Sequence, residues 1–309
     1  MNKSYKLAKN GVRILLLVLF FILLYYYFDK DYMMKTVQQM LAHPVILLLV
    51  LGIYFVSFFL KGIAWKLYLN DNVRLTSCLI GLFYSLLFNH LLPLKVGDGL
   101  RVMVMNQREK HISVERSFHS VFILRVMDTL SLMLLAGIGL FFFPFALKLP
   151  GLFTIGLFLC AVLAGGLLLR YVSAGFLTRQ MAMLKHALSG SRGFLVISLI
   201  LSSWVLEGAI LFGVALILLE PLSMGASIWV NSVTIIGQLF QFAPGGLGTY
   251  ESVMSYTLLS AGIPLEKGFS MAILSHGLKF IFSFIAGGIV IAVSPVSISR
   301  VKQWVRMKG

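Results

Sequence analysis

Residues 241–251 read QFAPGGLGTYE, a proline–glycine break set directly against a long apolar run. An unpaired backbone N–H or C=O group costs several kcal/mol in hydrocarbon, so irregular backbone at membrane depth is buried in protein or lines a wet cavity. We therefore expect Pro244, Gly245, Gly246 and Gly248 to belong to a buried site rather than to a surface that faces lipid.

The same pattern occurs earlier in the chain, where residues 93–98 read PLKVGD. Pro93 and Gly97 have the spacing of Pro244 and Gly248, at an offset of 151 residues. At this offset the segments 93–128 and 244–279 align without a gap and share seven identities in 36 pairs. The sequence predicts an internal repeat with halves at roughly 45–145 and 194–293, inside a single membrane domain that covers 1–309.

The composition is that of a polytopic membrane protein. Of the 309 residues 59% are hydrophobic and only 12% are charged, against about 25% charged in soluble domains. The net charge is +15, but the basic residues lie between apolar runs, as they do in cytoplasmic loops, so nucleic-acid binding is not expected. The two cysteines are isolated in apolar runs, with neither a disulfide framework nor metal-ligand spacing.

Apolar runs near the roughly 20 residues that a bilayer requires predict transmembrane helices. They lie at about 12–29, 45–68, 117–145, 151–170, 194–219 and 267–293. Two shorter runs, at about 76–92 and 226–243, each end at one of the breaks. We expect these short runs to turn back as re-entrant hairpins.

The charge of the connecting segments supports that topology. Short cytoplasmic loops are enriched in Lys and Arg, and segments 93–116 and 170–193 are basic whereas 220–226 and 244–266 are not. Re-entrant hairpins place both basic segments and both termini in the cytoplasm; eight full crossings would place the basic segments outside. The predicted fold is an all-α polytopic membrane protein with about six full transmembrane helices and two re-entrant hairpins. Three crossings separate the hairpins, which makes the repeat an inverted one.

Charged residues follow each break at the same spacing. Arg125 and Asp128 map by the offset onto His276 and Lys279, and each lies about eight to twelve residues into a predicted helix, near mid-bilayer. A charge there costs at least ~2.5–3.5 kcal/mol and normally faces the bundle interior. In one interpretation Arg125 and Asp128 neutralise each other as a structural pair. In the other, they join His276, Lys279 and Glu207 in binding an anionic phosphate headgroup.

Further candidates lie close to the breaks. Asp98, Arg101 and Glu251 follow them directly, where helix ends present free N–H groups to anions. Asp98 and Glu251 could equally be capping or solvated carboxylates. Lys61 and Lys66 are expected to snorkel from the second helix towards the cytoplasm.

No catalytic grouping, metal site or cofactor is predicted. The glycine-rich segment 245–248 lacks the strand before it and the Lys-Ser/Thr after it that a nucleotide-binding phosphate loop needs. No Cys-His or Ser-His-Asp grouping can be assigned from spacing alone, so an enzyme is unsupported without being excluded.

The residues that carry this argument also resemble a known family. They are Pro93-x-x-x-Gly97-Asp98-x-x-Arg101, Arg125-x-x-Asp128, Pro244-Gly-Gly-Leu-Gly-x-x-Glu251 and His276. The chain is similar, over nearly its whole length, to the lysylphosphatidylglycerol synthase transmembrane-region, or flippase-like, family. In the multiple peptide resistance factors the resemblance implies a membrane unit that moves aminoacylated phosphatidylglycerol between leaflets, beside a separate soluble synthase domain.

This chain departs from that pattern in two respects. Asp98 stands where many members have Glu, and Leu94-Lys95 replaces the glycine usual after the first proline. With the sequence ending at Gly309, we expect no synthase domain and no aminoacyl transfer.

The expected function is therefore translocation of a phospholipid or lipid-linked intermediate across a bacterial or archaeal cytoplasmic membrane. The alternatives are a membrane-embedded enzyme that modifies lipid headgroups and a non-catalytic partner of an envelope-biosynthesis complex.

Overall fold

The computed structural model describes residues 30–69, 72–92, 95–143, 189–240 and 243–295, together with the isolated residues 178, 182 and 185. The predicted helices at 12–29 and 151–170 lie outside the described residues, as does Pro93. Within the described ranges every regular element is helical, which confirms the all-α fold.

The helices fall into two sets, one in each half of the chain. The first half holds α1 (Lys30–Ala42), α2 (Pro44–Leu69), α3 (Leu75–Leu91), α4 (Gly97–Arg108) and α5 (Val114–Phe142). The second holds α6 (Gly190–Glu207), α7 (Ala209–Ile217), α8 (Met224–Gly237), α9 (Thr249–Ser260) and α10 (Leu265–Val293). Short 3-10 turns at Gln238–Phe240 and Pro244–Gly246 separate α8 from α9.

Four helical segments of the described chain are long and apolar enough to cross a membrane. They are α2, α5, the combined α6–α7 segment Gly190–Ile217, and α10. The apolar helices α3 and α8 are shorter, with 17 and 14 residues, as the two short runs predicted. The protein is thus a multi-pass membrane protein, and the total of six crossings stays a prediction.

The segments after the breaks are more regular than the sequence indicated. We predicted 93–116 as a cytoplasmic loop and 244–266 as an outer segment, but most of each is helix, α4 and α9. Each hairpin is therefore a helix–break–helix unit. Gly97 lets α4 start against α3, because a Cβ at that position would come within 2.2 Å of the Ser85 carbonyl oxygen.

The two halves have matching elements. Helices α5 and α10 each contain 29 residues, and both of their ends are related by the offset of 151. Helices α4 and α9 each contain 12 residues. The halves also pack reciprocally, since α3 lies against α10 and α8 lies against α5. The first helix of each hairpin thus packs against the long helix of the opposite half, and the second against the long helix of its own half.

Equivalent polar contacts anchor the start of each long helix. Arg116 Nη2 donates to the Leu69 carbonyl oxygen at 2.6 Å, and Lys267 Nζ contacts Glu220 Oε1 at 2.7 Å. The offset of 151 relates Arg116 to Lys267 and Leu69 to Glu220. The correspondence between the two halves therefore also includes the region where the long helix before each hairpin ends.

Candidate functional site

A cavity of about 140 Å³ lies between the two halves. Helices α2, α3, α5, α6 and α10 supply most of its wall, and both breaks contribute residues to it. This volume exceeds that of a single water molecule several-fold. The charged side chains that line it are Lys61, Lys95, Arg101, Arg125, Asp128, Glu207 and Lys279.

In the first half Arg125 is joined to Asp98. Arg125 Nε donates to Asp98 Oδ2 at 2.9 Å and Nη2 donates to Oδ1 at 2.6 Å, a bidentate arrangement that planar guanidinium and carboxylate groups favour. Ser85 Oγ also donates to Asp98 Oδ1, at 2.8 Å. Asp98 lies in the first turn of α4, so this pair ties the helix after the break to α5.

Asp128 contacts the same arginine more loosely. Its Oδ2 is 3.7 Å from Arg125 Nη1, and its Oδ1 accepts a hydrogen bond from Trp204 Nε1 at 2.9 Å. Arg125 thus holds two carboxylates, with Asp98 as the closer partner. The predicted Arg125–Asp128 structural pair is present, but it is the weaker half of a larger network.

In the second half His276 is joined to Glu251. Nδ1 of His276 lies 2.6 Å from Glu251 Oε1, and Nε2 lies 3.1 Å from the Gly245 carbonyl oxygen. A carbonyl can only accept, so Nε2 carries a proton, and the Nδ1–Oε1 contact needs a second one. The backbone N–H of Gly248 donates to Glu251 Oε2 at 2.7 Å. Two protons shared by the His276–Glu251 pair satisfy these contacts, and the pair then has no net charge whether the second proton lies on Nδ1 or on Oε1.

Glu207, at the end of α6, binds one lysine from each half. Lys279 Nζ donates to Glu207 Oε1 at 2.9 Å and Lys61 Nζ donates to Oε2 at 3.2 Å. Lys279 also donates to Asn231 Oδ1 at 2.8 Å, and Lys61 lies 3.4 Å from the centre of the Trp204 ring. Next to Glu207, Gly208 allows α8 to approach closely, because a Cβ there would come within 2.9 Å of Ile228 Cα.

The two halves use equivalent positions in the same way. Arg125 and its counterpart His276 each hold a carboxylate from the first turn of the helix after the break. Asp128 and its counterpart Lys279 each bind α6, at Trp204 and Glu207 respectively. The repeat is thus visible in the polar contacts as well as in the helices.

Positive charge is in excess around this cavity. Among the described residues, its lining holds five cationic side chains and two carboxylates, and Asp98 adds a third carboxylate through Arg125. The formal charge of this group is +2, with the His276–Glu251 pair counted as neutral. An anion with one or two negative charges would complement it.

The structure brings all eight predicted charged residues into one connected region. Six of them line the cavity, and Asp98 and Glu251 lie behind Arg125 and His276. Neither of these carboxylates is a freely solvated loop residue, because Asp98 is 22% exposed and Glu251 only 3%. Their role in substrate binding stays a prediction.

The prediction for Lys61 was wrong. Its side chain is 11% exposed and pairs with Glu207, whereas Lys66 is exposed as expected. Lys61 lies eight residues before the end of α2, about 12 Å at the helical rise, which is a long way for a lysine to snorkel. That depth was the signal that sequence reasoning overlooked.

Other residues that line the cavity or bind its charged side chains carried no clear signal in the sequence. Trp204 and Asn231 lie in apolar helices and matter only through their partners Asp128 and Lys279. Tyr250 stacks on His276, with ring centres 4.0 Å apart. Lys95 was counted with a basic loop, although it lines the cavity.

In the comparisons with known proteins, a family model described as "Lysylphosphatidylglycerol synthase TM region" matches residues 11–287. No curated protein and no solved structure matches the chain. The match spans far more than half of the 309 residues and includes both breaks and every charged residue of the cavity. The chain therefore belongs to the family of the lysylphosphatidylglycerol synthase transmembrane region.

Proposed function

We propose that this protein moves a membrane lipid with an anionic phosphate headgroup between the leaflets of a bacterial or archaeal cytoplasmic membrane. One observation carries the proposal, namely the positively charged cavity enclosed by helices long enough to cross a bilayer. The headgroup passes through the cavity while the acyl chains stay in hydrocarbon. Membership of a lipid-related membrane family supports a lipid as the substrate.

The reciprocal packing of the halves suits alternating access. Transporters built from repeats bind substrate at the repeat interface and open to each side by rocking one repeat against the other. Here the Asp98–Arg125 and Glu251–His276 pairs each fix a hairpin to the long helix of its own half. The contacts of α3 with α10 and of α8 with α5 lie between the halves. Rocking would rearrange these contacts and leave the two pairs intact.

The first test is lipid flipping by the purified protein in liposomes. The liposomes contain a phosphatidylglycerol with a fluorescent acyl chain, and dithionite added outside reduces the label of the outer leaflet. A label that starts in the inner leaflet is reduced only after its lipid has been flipped. We expect complete reduction with the wild type and no reduction of the inner-leaflet label in protein-free liposomes. The double variant Asp98→Asn/Arg125→Gln keeps a polar pair without its charges, and it should flip much more slowly.

A matched control removes an ion pair of the same type away from the cavity. Arg74 Nε contacts Glu109 Oε1 at 3.0 Å, and neither residue lines the cavity. Arg74→Gln/Glu109→Gln should flip at the wild-type rate if it elutes as a monodisperse protein. Wild-type protein that flips no lipid would refute the proposal, and a new lipid species on mass spectrometry would indicate a headgroup-modifying enzyme instead.

A further inference from the structure

Arg101 is a buried arginine that forms no ion pair with any residue that the structure describes. It lies on α4, is 3% exposed and lines the cavity. Its guanidinium carbon lies 4.0 Å from the centre of the Trp65 ring, and its Nε has no hydrogen-bond partner among the described residues. A buried charge is normally paired, because desolvation is costly. By contrast, Arg125 already holds two carboxylates.

Lys95 is a second cation of the same hairpin, in a strained conformation. Its φ is +52°, and the offset of 151 maps it onto Gly246, whose φ is +77°. Glycine adopts this left-handed region freely, whereas a residue with a Cβ is strained there. The backbone is therefore strained at Lys95 in the first half but not at Gly246 in the second. Its lysine lines the cavity and forms no ion pair with any described residue.

These two cations belong to one half only. Arg101 maps onto Ser252, and Lys95 maps onto Gly246, so the second half has a small neutral residue at both positions. The other cations of the cavity, Lys61, Arg125 and Lys279, all bind carboxylates. The two cavity cations that form no ion pair with any described residue thus both lie in the first hairpin.

We propose that Arg101 and Lys95 form the subsite that binds the phosphate of the headgroup, with Trp65 fixing the plane of the Arg101 guanidinium. Arg125 is then a positioning residue that holds α4 through Asp98, rather than the main contact with the anion. This inference rests on the proposed function, and it assigns the substrate class, a phosphate ester. The same chemistry is present in a phospholipid and in a soluble phosphate ester.

The test compares binding by variants that lose charge without losing packing. Arg101→Met keeps an apolar side chain against Trp65, and Lys95→Gly installs the residue found at the equivalent position of the second half. Lys66→Met is the charge-matched control, since Lys66 is exposed and does not line the cavity. Titration calorimetry in detergent would measure dioctanoyl phosphatidylglycerol and glycerol phosphate as separate ligands.

We expect each cavity variant to bind phosphatidylglycerol roughly 10- to 100-fold more weakly, the cost of losing a charge-assisted contact. Lys66→Met should bind like the wild type. The melting temperature should be unchanged or higher in both cavity variants, because one removes an unpaired buried charge and the other relieves a strained φ. Unchanged affinity, or a fall in melting temperature with binding intact, would overturn the proposal.

Flipping measured on the same variants separates this inference from the proposed function. If the wild type flips lipid and Arg101→Met flips it equally fast, the subsite is wrong and the function stands. If the wild type binds phosphatidylglycerol through Arg101 but flips nothing, the subsite stands and the function is wrong. If the wild type binds glycerol phosphate as tightly as it binds phosphatidylglycerol, the subsite is supported and its ligand is a soluble phosphate ester.

Discussion

Glu207 is the residue on which the buried charges of both halves converge. Its side chain is 4% exposed and lies between Lys61 of α2 and Lys279 of α10. A buried ion pair contributes little net stability when intact, because desolvation offsets the attraction, but removing one partner leaves an uncompensated charge. Here a single substitution would expose two lysines to that penalty.

We predict that Glu207→Gln destabilises the folded protein by about 3–5 kcal/mol. Unfolding by a denaturing detergent in mixed micelles would measure the difference. Glu266→Gln is the control, because Glu266 is exposed in the first turn of α10, and it should lie within roughly 0.5 kcal/mol of the wild type. Adding Lys279→Met to Glu207→Gln should restore part of the loss, and a strictly additive double variant would contradict the assigned pairing.

The buried charged residues could be identified from the sequence, but their ion-pair partners could not. Depth in an apolar run identified Arg125, Asp128, His276 and Lys279, because a mid-membrane charge is costly whatever surrounds it. Pairing depends on which helices pack together, and no spacing rule joins Glu207 to Lys61, 146 residues away. The bond between Asp98 and Arg125, 27 residues apart, was equally hidden.

The turn at Pro244–Gly246 requires a glycine at position 245. Gly245 has a φ of +64°, and a Cβ there would lie 2.3 Å from Phe280 Cζ and 3.1 Å from the His90 carbonyl oxygen. The same residue offers its carbonyl oxygen to His276. The turn is thus fixed by its conformation, by packing and by a hydrogen bond.

We predict that Gly245→Ala destabilises the protein by about 1–3 kcal/mol, from the strained φ and the overlap with Phe280. The matched control is Gly277→Ala on α10, where an added Cβ meets nothing within 4 Å; it should be neutral or slightly stabilising. Thermal unfolding monitored by circular dichroism would compare the two. Equal melting temperatures would mean that the turn relaxes without cost.

The sequence predicted the two breaks but not the helices that follow them. The breaks were located by proline and glycine, which constrain the backbone directly. Helices α4 and α9 were read as loops because α4 carries Arg101, Arg108 and Asp98 and both helices are short. Their helical state depends on packing against α3, α5 and α10, and on Glu251 accepting the Gly248 N–H.

For the whole molecule, the equal lengths of α5 and α10 and their reciprocal packing against α8 and α3 support the repeat. The opposite membrane orientation of the two halves is predicted from the basic loops alone. This orientation decides whether rocking could expose the cavity to each side of the membrane in turn.

The orientation can be measured directly at Glu115 and Glu266, since they are related by the offset of 151 and both are exposed in the first turn of their helices. We predict that Glu115→Cys, in a background with both native cysteines replaced by alanine, reacts with a membrane-impermeant maleimide only from the cytoplasmic side. Glu266→Cys should react only from the opposite side, with detergent-solubilised samples of both variants showing that each thiol is reactive. Labelling of both from one side would contradict the inverted repeat and, with it, the alternating access that the proposed function needs.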